Sequence, residues 1–238
     1  MCCSFRQALR PEVDNMDAAI FGSTARGADD ISSDLDVIAV LDEAENLSTE
    51  QVELELQKLF KKSISLSIYT KRRMLDLWLE GSPFAWHLYL EARPLNQSGS
   101  RFLGGWGNPS KYVSWLEDCT TMLEIVESCS ARLASPAVNC DCYEAGLLYV
   151  GARNIGMFSS LPIKGSFDFS RRAPFSLGED FNLTISEFDY IDLVAARHAS
   201  TRGLTPPKLN RENLKILSHE IYAWGRGIIS TLSGDTDK

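Results

Sequence analysis

Residues 21–40 read FGSTARGADDISSDLDVIAV, a glycine turn followed by two aspartates at the head of an apolar run. In Phe21-Gly22-Ser23-Thr24-Ala25-Arg26-Gly27, a strand ending at Gly22-Ser23 can turn sharply into a helix, because glycine accepts backbone angles that other residues avoid. The first amides and the positive dipole end of that helix then face whatever lies above the sheet, a favourable place for a phosphate chain. Ser23 adds a hydroxyl donor. The chain re-enters the sheet at Ser33-Asp34-Leu35-Asp36-Val37. Side chains alternate along a strand, so Asp34 and Asp36 share one face beside the turn. Leu35, Val37, Ala39 and Leu41 fall on the other face, and Ile38 and Val40 continue the aspartate face away from its open end. This predicts a strand buried on both sides with a polar tip. A chance turn followed by exposed aspartates would be polar throughout.

Two carboxylates beside a phosphate turn are hard oxygen ligands of the kind that suit Mg²⁺, with Mn²⁺ as the alternative ion. Mg²⁺ is typically held by one or two carboxylates plus substrate phosphates. The expected ligand is therefore a metal-bound triphosphate.

Further along the first hundred residues, Ala18 to Phe21, Leu35 to Leu41 and Ile64 to Tyr69 read as strands, while Glu50 to Lys61 and Lys71 to Leu90 read as helices. Ser48 and Gln51 form a capping box at the start of the first of these helices. Between Ser98 and Ser110 come four glycines, a proline and three serines, which break both helix and strand, and the domain boundary is placed there. After it the periods are helical. Val113, Leu116, Cys119, Leu123 and Val126 form one stripe, and Leu214, Leu217, Ile221, Trp224 and Ile228 form another. Ser186 and Asp189 cap a helix running to about Arg197, and Tyr143 to Phe158 supplies another, giving a bundle of four or five. The chain thus reads as α+β: a small mixed-sheet α/β domain over residues 1–105, then an all-α bundle over 106–238, with 233–238 a disordered polar tail.

The motif resembles the nucleotidyltransferase superfamily that includes DNA polymerase beta, specifically its minimal nucleotidyltransferase branch and the antibiotic-modifying members. Gly-Ser, ten residues, then Asp-x-Asp stands here as Gly22, Ser23, Asp34 and Asp36. The resemblance implies that Ser82 to Leu95 is the closing helix and strand of that domain. It also implies that Gly22 and Ser23 hold the outer phosphates, that Asp34 and Asp36 are catalytic and coordinate the metal, and that Arg26 reaches the triphosphate unless it is a solvated helix-face arginine. For the bundle it is weaker, although fused helical domains occur in aminoglycoside-type members and resemble HEPN-like helical partners. The implied reaction moves a nucleoside monophosphate from an NTP to an acceptor hydroxyl on a small antibiotic, an RNA end or a protein.

One departure stands out. Members of the superfamily usually carry a third carboxylate early on a later strand, and in Lys62-Ser63-Ile64-Ser65-Leu66-Ser67-Ile68 the corresponding position is Ser65. A hydroxyl is a weak Mg²⁺ ligand beside carboxylates, so the second metal site or the general base is unaccounted for. Glu117, Asp118 and Glu144 are candidate substitutes, each against the alternative of an exposed helical carboxylate. The rival function is a catalytically weakened nucleotidyltransferase-like module that binds a nucleotide or partner protein, as in a toxin–antitoxin or phage-defence system.

The remaining features bound these readings. Apolar content of 44%, with 24% charged side chains, matches globular averages and excludes a mostly disordered chain. A net charge of -8 argues against a protein held on nucleic acid by charge alone. One stretch, Arg197 to Arg211, holds Arg197, Arg202, Lys208 and Arg211 without an acid, and it reads either as a solvated loop or as a site for phosphates or an RNA backbone. Arg153-Asn154 and Phe167 to Arg172 pair arginines with aromatics, which either receive a base or phosphate or fix a loop to the bundle. Six cysteines and three scattered histidines, His87, His198 and His219, support neither a disulfide scaffold nor a zinc site. With no membrane-length apolar run and no signal-like N-terminus, the expected location is cytoplasmic, without membrane partners. The expected companions are the NTP, the acceptor, and a second copy of the chain or a partner protein.

Overall fold

The apolar run behind the aspartates is the middle of a mixed sheet. In the computed structural model, residues 17–27, 35–42, 48–60, 64–95, 105–137 and 140–234 are described. The chain divides into two units between Tyr112 and Val113. In the first, Asp17–Ile20 (β1) leads into the short helix Gly22–Arg26 (α1), followed by Leu35–Leu41 (β2), Thr49–Gln57 (α2) and Ile64–Thr70 (β3). Lys71–Leu79 (α3), Pro83–Glu91 (α4) and Arg93–Pro94 (β4) complete it. The strand order is β3-β2-β1-β4. β2 and β3 run parallel, joined through α2 as a parallel pair requires, while β1 pairs antiparallel with β2 and with β4.

Alternation along β2 sorts two apolar layers. Leu35, Val37 and Ala39 pack with Val52, Leu56 and Phe60, so α2 covers that face. Ile38 and Val40 pack with Met74, Trp78, Ala85 and Leu88 of α3 and α4 on the other. Ser48 accepts from the Gln51 amide at 3.2 Å and the Gln51 side chain accepts from the Ser48 amide at 2.9 Å, as the capping box predicts.

The helix expected from Lys71 to Leu90 is two helices. Gly81, at φ +68°, ends α3, and Ser82 caps α4 by accepting from the Ala85 amide at 3.1 Å, with Pro83 in its first turn. The Gly-Ser-Pro run carries this break. α4 and β4 are the closing helix and strand expected between Ser82 and Leu95. Gly81 is also where the backbone at Ser110 passes: a Cβ there would lie 2.4 Å from the Ser110 carbonyl oxygen. The Trp78 and Trp86 indoles donate to the Gly107 and Ser110 carbonyls at 2.9 and 3.0 Å, fixing the same segment.

The second unit is helical: Trp115–Ala134 (α5), Asp141–Lys164 (α6), a 3₁₀ turn at Ala173–Phe175, Glu187–Arg202 (α7) and Arg211–Ser233 (α8). Cys119, Leu123 and Val126 are buried as their spacing predicts, whereas Val113 precedes the helix at 67% exposure and Leu116 in its first turn is 40% exposed. Leu214, Leu217, Ile221 and Ile228 of α8 are all buried. The helix capped by Ser186 runs on to Arg202, beyond Arg197, because Gly203 at φ +67° supplies the left-handed residue that ends it. No described helix is long and apolar enough to cross a membrane.

Two arginines tie the bundle together. Glu144 is buried, not the exposed carboxylate weighed from the sequence, and takes two bonds from Arg132, at 2.7 Å from Nε and 2.9 Å from Nη2. Arg211 donates to the Arg132, Leu133 and Ser135 carbonyls at the end of α5 and to Asp141 at 2.8 Å, so it locks α8 to the α5–α6 turn. The basic stretch is therefore not one loop: Arg197 and Arg202 lie on α7, and Arg211 is bound into the frame.

Glu144 is buried and Arg132 partly exposed, so removing Arg132 leaves a buried carboxylate without its partner. Arg132→Ala is expected to lower unfolding free energy by about 1–3 kcal/mol, and Arg132→Met with Glu144→Leu to recover most of that loss. Urea titration of the three proteins checks this; a double variant as unstable as Arg132→Ala would contradict it.

Candidate functional site

The glycine turn and the aspartate strand meet directly. Phe21 donates its amide to the Asp36 carbonyl at 3.1 Å, which fixes the start of α1 against β2. Gly22 has φ +73°, and a Cβ built on it would lie 2.5 Å from Asp36 Oδ2. Only a residue without a side chain brings its backbone this close to that carboxylate. Asp36 is half-buried on the face of β2 that α3 and α4 cover further along. Ser23 is half-buried beside it in sequence, and Thr24 Oγ1 is buried with no hydrogen-bond partner among the described residues. Asp34 lies outside the described residues.

β3 supplies the neighbouring position. In the parallel register Asp36 stands opposite Ser65, and Ile38 opposite Ser67. Ser65 is exposed and Ser67 half-buried. The position that the family resemblance assigns to the missing acid is thus a direct cross-strand neighbour of Asp36.

A group that the sequence did not single out borders this turn. Arg26, at the end of α1, donates to Glu91 on α4, and Glu91 is also bonded to His87 Nε2 at 2.9 Å. The His87 ring stands edge-on to Phe21 at 5.5 Å. Burial, the largest influence, works to raise the Glu91 pKa, but the hydrogen bond and charge of His87 and those of Arg26 outweigh it and leave the pKa lowered. The i, i+4 spacing of His87 and Glu91 on a helix was the available signal, and it gains meaning only once α1 is placed against α4. Arg26 is thus a partly exposed arginine held by a carboxylate, not a freely solvated one.

The other candidates separate from this site. Arg153 donates to Asn154 and to the Phe169 carbonyl at 2.9 Å each, and Asp168 accepts from the Ser170 amide, so these residues fix the loop after α6, one of the two roles open from the sequence. Burial pushes the Cys119 and Cys129 thiols up to about 12, which removes both as nucleophiles at neutral pH. Among the described residues, no three His, Cys, Asp or Glu side chains group as a metal site.

Residues 2–80 match the family described as nucleotidyltransferase domain. The first unit accordingly carries a nucleotidyltransferase domain of the polymerase-beta-like superfamily, and a helical unit follows it, so the α+β architecture read from the sequence holds. No curated protein matches the chain.

Two measurements probe the geometry. Gly22→Ala forces a Cβ into the Asp36 carboxylate at a strained φ and should cost about 1–3 kcal/mol, less when Asp36→Ala clears the space; strict additivity in a double-mutant cycle would contradict the contact. A lowered Glu91 pKa means that the unfolded chain binds more protons between the two pKa values, so the contribution of Glu91 is full above the ordinary glutamate range and lost as pH falls through the lowered value. The stability gap between wild type and Glu91→Gln should therefore shrink on acidification; a gap independent of pH would rule this out.

Proposed function

We propose that the first unit binds a Mg²⁺–nucleoside triphosphate and transfers its nucleoside monophosphate to an acceptor hydroxyl. The observation that carries this reading is the approach of Gly22 to Asp36, which puts a backbone turn free of side-chain bulk against a carboxylate. The donors fit the group. Asp36 is a hard oxygen ligand, its sequence partner Asp34 is another two residues earlier, and the Thr24 hydroxyl, without a hydrogen-bond partner among the described residues, lies in the same turn. Asp34 and Asp36 are assigned to the metal, with Mn²⁺ as a substitute ion. When bound, the metal would neutralise triphosphate charge and favour attack at the α-phosphorus.

The chain's own residues perform the rest. Gly22 lets the backbone amides of the turn approach phosphate oxygens, and Ser23 donates its hydroxyl to them. Arg26, steadied by Glu91, adds positive charge at the end of the same helix. Transfer forms a bond from the acceptor oxygen to the α-phosphorus, breaks the bond to the α–β bridging oxygen and releases pyrophosphate, with the hydroxyl proton passing to solvent. The acceptor is a small molecule such as an antibiotic, an RNA end or a protein, and a cytoplasmic setting would supply the NTP.

A second reading, a weakened module that binds nucleotide without efficient turnover, is favoured by one observation: the cross-strand neighbour of Asp36 is Ser65, which cannot be anionic. Glu144 does not fill the gap as a mobile acid, since Arg132 holds both of its oxygens inside the bundle.

Incubation with labelled NTPs and Mg²⁺ or Mn²⁺ against separate pools of RNA, protein and small molecules decides between them. Label should enter one pool, and Asp36→Asn should reduce it by on the order of 10²-fold. Ser65→Asp should raise turnover by restoring an acid beside Asp36. Absence of label in every pool, with Mg²⁺–NTP binding still lost in Asp36→Asn, would instead establish the binding module; binding unaffected by Asp36→Asn would overturn both.

A further inference from the structure

Both ends of α1 are held by one face of α4. Phe84, His87 and Glu91 stand at i, i+3 and i+7 on that helix, so their side chains line up along it. The Phe84 and His87 rings stand edge-on to Phe21, the residue that caps α1, at 5.8 and 5.5 Å. One turn beyond His87, Glu91 accepts from Arg26, the last residue of α1. His87 joins the two contacts, since its Nε2 lies 2.9 Å from the same Glu91 oxygen, Oε2, that Arg26 bonds. The His87 and Glu91 side chains are each 14% exposed and that of Arg26 28%, so the anchor is the more buried side and the arginine the one that reaches outward.

Attachment of α4 to the sheet does not need these polar contacts. Ala85 and Leu88 already bury that helix with Ile38 and Val40, and an ion pair with a partly exposed arginine adds little to stability. The contacts do order Arg26. A long side chain loses rotamer freedom when a ligand fixes it, and that loss weakens binding unless the protein has fixed the side chain beforehand. Arg26 stands at i+3 from Ser23, so both lie on one face of α1. Glu91 engages it through Nη1, and the rest of the guanidinium fork suits phosphate oxygens.

We propose that His87 and Glu91 are positioning residues, which orient Arg26 in advance for the outer phosphates of the nucleoside triphosphate. The proposal rests on the transfer reading of the first unit and adds two residues of α4 to it. Binding of Mg²⁺–ATP and Mg²⁺–GTP by the full chain is measured by calorimetry for the wild type, Glu91→Ala, Arg26→Gln and the double variant. Glu91→Ala should weaken binding by about 10-fold where Arg26 is present and by less than about 2-fold in the Arg26→Gln background, because Glu91 acts through Arg26. A merely structural role would cost affinity equally in both backgrounds. Glu91→Gln keeps the size and an acceptor for Arg26, so it should recover part of the loss, and it carries the same comparison if Glu91→Ala fails to fold. His87→Phe keeps a ring against Phe21 without a donor for Glu91 and should weaken binding, whereas His87→Gln keeps a donor and should weaken it less. Asp36→Asn separates the two readings. If it leaves nucleotide binding unchanged, or if the wild type binds neither nucleotide, the transfer reading falls and this proposal with it. If Asp36→Asn abolishes binding while Glu91→Ala or His87→Phe binds as tightly as the wild type or more tightly, or while Glu91→Ala costs the same in both backgrounds, the positioning proposal alone is overturned.

Discussion

The first unit is organised around the absence of a side chain at Gly22. Asp36 Oδ2 lies where a Cβ at that position would go, and the Phe21 amide bonds the Asp36 carbonyl, so the turn and the strand are fixed to each other through backbone and carboxylate together. It sets the direction of α1, hence where Arg26 emerges, and Arg26 with Glu91 then links α1 to α4. The parallel register of β2 and β3 separately puts Ser65 opposite Asp36.

Much of this was legible because alternation along one strand is a strong constraint. A buried parallel strand must be apolar on both faces, so Asp36 within Leu35 to Leu41 had to mark an open end, and both apolar layers follow from the same seven residues. The register that pairs Asp36 with Ser65 was legible from family spacing. The break between α3 and α4 was written in Gly81-Ser82-Pro83, but the long apolar period through Trp78 and Leu88 masks it when only periodicity is followed. What the sequence could not give was partnership across elements. Glu91 and Arg26 are far apart in the chain, and Glu144 looks like any acidic residue in the first turn of a helix until its burial against Arg132 is seen.

The helical unit distributes its arginines between two jobs. Arg132 and Arg211 act on carbonyls and carboxylates at the junctions of α5, α6 and α8, where orphan groups at helix ends need donors. Arg153 instead holds the Phe169 carbonyl of the loop after α6. A charge count over the stretch from Arg197 to Arg211 hides such differences, since Arg197 lies on α7 while Arg211 is bound into the frame at the end of α5.

The most direct test of the site is a crystal structure of the full chain with Mn²⁺ and a non-hydrolysable NTP analogue, with the ion located by its anomalous scattering. The expected result is an ion at roughly 2.1 Å from an Asp36 carboxylate oxygen, with the triphosphate over the Gly22-Ser23 turn. Ion and triphosphate bound elsewhere, with the Asp36 carboxylate making no contact to either, would contradict it.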